Sequence, residues 1–148
     1  MKTLFLFIGL SVISSFAFSQ NNLLIGKLDD GKPVITANIE KMCTSLSINL
    51  AKVSEVKETF SKVGIVELEK HYFLVFHGAK YKTTFALVLE DNSFVSKLNV
   101  SCSSNGDCAN TTGCTPSQNV GECLCTRCPG EGSCVKTCST TTLVEVEN

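Results

Sequence analysis

Nine cysteines carry most of the chemical potential of this chain, and eight of them fall within residues 102–138. They are Cys102, Cys108, Cys114, Cys123, Cys125, Cys128, Cys134 and Cys138. Between them lie Ser, Thr, Gly, Asn and Pro, with Val120, Leu124 and Val135 as the only large aliphatic residues and no aromatic residue. Such a segment cannot bury enough apolar surface to offset an ordering cost of about 1–2 kcal/mol per residue for the backbone alone. Order there must come from cross-links or metal ions.

Three chemistries compete for these thiols. Disulfide bonding is favoured: eight is an even number, four bridges are possible, and 105 pairings are open. Cys123 and Cys125 are too close to bridge each other without strain. The metal alternative takes Cys125, Cys128, Cys134 and Cys138 as four thiolates at roughly zinc-like spacing. Its central gap is shorter than in a usual zinc ribbon, and no histidine lies nearby. The third chemistry is redox catalysis by Cys125-Thr126-Arg127-Cys128. That motif works at the start of a helix in a βαβ setting, and the Gly, Pro and Cys around it here are the wrong context. The ninth cysteine, Cys43, sits on an apolar helical stripe and reads as a buried free thiol packing as a small hydrophobe.

The other ionisable residues form no recognisable catalytic set. His71 and His77 flank an apolar run and, six apart, share one face of a strand. They read as solvated strand-end histidines. Asp29-Asp30 and Asp91-Asn92 read as turns, and no Gly-rich phosphate loop occurs. No catalytic residue and no cofactor are expected.

The compartment follows from the first residues. Met1-Lys2 is a short positive region, residues 4–10 are an apolar run, and Ala17-Phe18-Ser19 supplies small residues at a cleavage site. This predicts a secretory signal peptide over residues 1–19, cut before Gln20. Secretion sends the thiols to an oxidising place, either the periplasm or the exterior, which favours bridges. Cleavage removes Lys2 and leaves 12 basic against 14 acidic residues, a formal charge of −2. With no basic cluster beyond Lys80-Tyr81-Lys82, a nucleic-acid partner is not expected. No later stretch is long and apolar enough to span a membrane.

The elements that hold the cysteine-rich segment lie in residues 20–100. Residues 23–28 and 33–35 form a predicted hairpin around Asp29-Asp30-Gly31-Lys32. Thr36 or Asn38 can cap a helix whose stripe is Ile39, Met42, Cys43, Leu46 and Leu50, ending near Leu50 or Lys52. From Val63 the apolar period changes to two. Residues 64–69, 72–76, 83–89 and 94–100 read as four antiparallel strands with short connections. The expected fold class is therefore α+β: one amphipathic helix packed on an antiparallel sheet of about four strands, followed by a small irregular disulfide-rich tail. The expected division is a signal peptide at 1–19, an α+β module at 20–100, a disulfide-bonded segment at 101–139 and a C-terminal tail at 140–148.

Ala17-Phe18-Ser19-Gln20, Ile25-Gly26-Lys27-Leu28, Gly31-Lys32-Pro33-Val34-Ile35-Thr36, His71-Tyr72-Phe73-Leu74-Val75 and Tyr81-Lys82-Thr83-Thr84 precede a terminal cysteine cluster. In these features the chain resembles small Cys-rich secreted proteins of flavobacteria and related Bacteroidota. The resemblance implies a Gram-negative host and a periplasmic or exported protein, and it carries no active site across. The functional expectation is a non-enzymatic protein whose tail is an interaction or structural module for a protein or surface partner. The alternatives are thiolate metal binding and a secreted inhibitor or effector.

Overall fold

The computed structural model describes residues 23–119, 122–128 and 130–138. The signal peptide and the C-terminal tail expected from the sequence lie outside these residues.

The fold is predominantly antiparallel β, which corrects the expected α+β class with about four strands. Seven strands form one sheet: β1 (Leu23–Asp29), β2 (Lys32–Ile35), β3 (Lys62–Leu68), β4 (His71–His77), β5 (Lys82–Glu90), β6 (Ser93–Ser104) and β7 (Cys134–Thr137). The order is β2-β1-β6-β5-β4-β3, with β7 also paired to β6. The helices are α1 (Ile39–Val53) and the single turn α2 (Asp107–Asn110). The strand count exceeds the expectation for two reasons. The β1–β2 hairpin joins the main sheet through β6 instead of standing apart, and the cysteine-rich segment returns as β7.

Strand β6 is the spine. Along one edge it pairs β5 over nearly its whole length. Along the other it pairs β1 through Ser93–Ser96 and β7 through Ser101–Ser104, so two short strands share one long edge. Its polar positions past Val100 are satisfied in part: Ser104 Oγ accepts from the Cys114 amide, whereas the buried Ser101 Oγ has no hydrogen-bond partner among the described residues. Thr83 Oγ1 and Ser103 Oγ, both buried, share a hydrogen bond of 2.8 Å across β5 and β6. The edge strands β2 and β3 approach each other, so the sheet curls round α1.

Helix α1 starts at Asn38, whose side chain accepts from the Lys41 amide at 2.9 Å. It ends where the Ser54 amide and hydroxyl both donate to the Leu50 carbonyl. Met42, Cys43, Leu46 and Leu50 face the sheet and join Ile25, Leu74, Phe76, Phe85, Leu87 and Phe94 in the main core. Val56 and Phe60 complete it from the extended link after the helix. Ile39 is exposed rather than part of the stripe, because it sits at the first helical position, beyond the reach of the sheet. Full burial of side chains this size contributes roughly 1.5–3 kcal/mol each, so this core dominates the stability of the sheet.

The sheet's second face is the one that positions the site. Alternation along β4 sends Leu74 and Phe76 to the helix and Phe73, Val75 and His77 to the other side. Cys102 and Thr84 pair across β6 and β5 on that same outer face, and the cysteine-rich segment folds over it.

Candidate interaction surface of the disulfide-bonded segment

Four disulfides organise the segment: Cys102–Cys125, Cys108–Cys128, Cys114–Cys134 and Cys123–Cys138. In chain order, the first cysteine bonds the fifth, the second the sixth, the third the seventh and the fourth the eighth. Every bridge therefore crosses every other, and no loop closes independently. The separations are 23, 20, 20 and 15 residues. A single loop of that size restricts the unfolded chain by about 3 kcal/mol in the chain-entropy account. Crossed loops share that restriction, so the four values do not simply add.

Two bridges are anchored in the sheet, since Cys102 belongs to β6 and Cys134 to β7. Cys108 lies in α2. Cys102, Cys108 and Cys114 are fully buried, with Val100, Cys125, Cys128 and Cys134 packed around them. Sulfur thus supplies the apolar interior that the amino-acid composition lacks. Hydrogen bonds fix the rest. Thr84 Oγ1 contacts the carbonyls of both Cys102 and Cys114, and the Cys114 amide donates to Ser104 Oγ at 2.8 Å. Thr115 and Thr126 exchange two bonds of 2.9 Å beside the Pro116–Cys125 bridge. The Asn105 side chain accepts from the Ser133 amide at 2.8 Å. Gly132 next to it has φ 133° and would place a Cβ 2.2 Å from the Asn105 carbonyl oxygen, so only glycine fits there.

The four residues of the metal alternative are each bonded to a different partner. A sulfur in a disulfide carries no thiolate charge, so the set Cys125, Cys128, Cys134 and Cys138 offers no tetrathiolate site. Among the described residues no group of three or more His, Cys, Asp and Glu is gathered for a metal ion. Cys125 and Cys128 are likewise not bonded to each other. Cys43 is free and buried, and burial pushes its thiol pKa up. His71 and His77 are exposed at opposite ends of β4. His71 faces Leu68 across β3, and His77 lies between Lys62 and Lys82.

The segment's outward face centres on Leu124, which is 53% exposed between the bonded cysteines 123 and 125. Arg127 and Lys136 line the same shallow depression of about 400 Å³. In the sequence Leu124 is one of three large aliphatic residues scattered among the cysteines. Its place between two cysteines that bond to distant partners is the signal that marks it.

Two further features escaped the sequence. Glu58, in the link after α1, accepts hydrogen bonds from the amides of Lys80 at 2.6 Å and Tyr81 at 2.9 Å. Burial acts to raise its carboxyl pKa, but the amides of Lys80, Tyr81, Thr59 and Ala79 outweigh it and bring the pKa below its usual value. Lys62, His77 and Lys82 stand side by side across three strands. Burial, then Lys82 and Lys62, lower the His77 pKa. Comparison with protein-family models, curated protein sequences and solved structures returns no match.

Proposed function

We propose that this is a secreted or periplasmic, non-enzymatic binding protein whose disulfide-bonded segment is a rigid interaction module. Its basis is the disulfide-stabilised C-terminal region itself. Multiple disulfides are characteristic of extracellular and periplasmic proteins, and among the described residues no helix is long and apolar enough to cross a membrane. The likeness to secreted Cys-rich proteins of flavobacteria points the same way.

The observation that carries the reading is Leu124. An apolar side chain at a loop tip normally retracts or stays mobile. Here the two flanking bridges tie its backbone to β6 and to the end of the segment, so it is presented in one place. Ordering entropy is settled before binding, which is what preorganisation contributes to affinity. Arg127 and Lys136 beside it select a partner offering an apolar pocket rimmed by carboxylates.

The test uses the full oxidised chain, immobilised and exposed to envelope and culture-medium fractions of the host. Leu124→Asp combined with Arg127→Glu is expected to abolish capture of the specific partner. Lys27→Ala, in β1, is expected to leave it intact. If the double variant, with its disulfides intact, captured the same proteins to the same extent, the reading would fail.

A further inference from the structure

A second surface shares no residue with the Leu124 depression. Where the cysteine-rich segment overhangs the outer face of the sheet, it leaves a cleft of about 300 Å³. That is near the lower limit for small-molecule sites, about 300 Å³. Its floor is apolar: Val66 and Leu68 from β3, Phe73 and Val75 from β4. Thr111, Thr112 and Thr115 form the overhanging wall. Phe73 and Val75 line the cleft although little of either side chain is exposed. Val66 is 47% exposed.

One end of the cleft is basic. His77 and Lys82 line it, and the register places Lys62 beside His77 at the open edge of β3. Lys82 Nζ donates to the Thr111 carbonyl, which fixes the ammonium and leaves two of its protons free. Asp107 lies in the adjoining polar hollow, which His77 and Lys82 also line.

Gly64 supplies an independent observation. It sits in the interior of β3 on this face, opposite Val75. A glycine there weakens a strand, and it often marks a place where a ligand approaches the backbone. A Cβ added at Gly64 would meet nothing within 4 Å. The gap therefore lies between the apolar floor at Val66 and the basic row at Lys62.

We propose that this cleft binds a free single-chain carboxylate of medium length. Its chain lies on Val66, Phe73 and Val75, and its carboxylate meets the Lys62–His77–Lys82 row. Apolar contact supplies the affinity, and the basic row selects an anion and sets the ligand's direction.

Calorimetric titration of the full oxidised chain with decanoate, decanol and decyltrimethylammonium tests this. Decanoate is expected to bind best and the cation worst. Gly64→Leu fills open space without strain, so its melting temperature stays near that of the parent while decanoate affinity falls about tenfold or more. Lys62→Glu provides a second arm at an exposed position and is expected to weaken decanoate while sparing decanol. Three results would each overturn the proposal: no decanoate binding at millimolar concentration, equal binding of all three probes, or undiminished affinity in folded Gly64→Leu. So would binding of the chain to anionic phospholipid vesicles without binding of decanoate.

Discussion

Glu58 shows how much one side chain outside every regular element can organise. Its carboxylate takes the amides of Lys80 and Tyr81 and so fixes the turn between β4 and β5. Gly78 in that turn leaves room for it, since a Cβ there would lie 2.2 Å from Glu58 Cγ. A charged hydrogen-bonding group of this kind contributes about 1.5–3 kcal/mol, and partial exposure places Glu58 toward the low end. Glu58→Gln is expected to lower stability by about 1–2 kcal/mol in urea denaturation at neutral pH. The sign of the pH dependence follows from the lowered folded-state pKa. The stabilisation is complete above the unfolded-state pKa and disappears as pH falls through the folded-state value. The gap between parent and Glu58→Gln should therefore narrow on acidification; a gap independent of pH would contradict this role. Cys43 offers a second check at this scale. A buried thiol with a raised pKa reacts slowly. Alkylation of the oxidised native protein is expected to label no cysteine among residues 23–138, and the unfolded, unreduced protein one. Labelling of Cys43 in the native state would show that α1 does not bury it.

Among the elements, legibility depended on whether local chemistry matched the conformation. Helix α1 announced itself through Asn38, Glu40 and the spacing of Met42, Cys43, Leu46 and Leu50. The turns at Asp30-Gly31 and Asp91-Asn92 carry residues that accept positive φ, and all four adopt it. Strand β7 and the last turn of β6 were illegible for the opposite reason. Ser101, Ser103 and Ser104 are polar yet fully buried: Thr83 matches Ser103 across the sheet and the Cys114 amide matches Ser104, while the Ser101 hydroxyl has no hydrogen-bond partner among the described residues. The cleft was hidden too, because its floor and its basic row come from three strands whose register periodicity does not supply. The turn at Glu69-Lys70 contradicts local preference outright. Both residues have positive φ, 51° and 67°, without the small side chains that favour it. A left-handed conformation costs a residue of that kind about 1–2 kcal/mol. Lys70→Gly is expected to recover roughly 1 kcal/mol of this in the folded state, less what glycine adds to the entropy of the unfolded chain. Thermal melts check it, and a fall in melting temperature would contradict the argument.

At the scale of the whole molecule, two sources of order meet along β6. One is the apolar core between α1 and the sheet, and the other is the sulfur-rich interior of the cysteine segment. The sequence distinguished these two materials, one rich in Phe, Leu and Val and the other in Cys, Ser and Thr. It did not show that a single strand serves both, which is why the sheet came out too small. This division has a consequence for redox conditions. Reduction is expected to release amide protection over residues 105–138 while α1 and strands β1–β5 stay protected in hydrogen exchange. Uniform loss of protection would mean that the two parts fold as one cooperative unit. The central claim is that crossed disulfides, rather than thiolates or metal, hold the segment as a rigid module on the sheet. Peptide mapping of the protein under non-reducing conditions, with thiols blocked before digestion, tests it most directly. The expected result is Cys43 alone as a free thiol and the four pairs 102–125, 108–128, 114–134 and 123–138. Nine free thiols, Cys43 and the eight of the segment, with stoichiometric metal, or bridges joining cysteines adjacent in the chain, would contradict it.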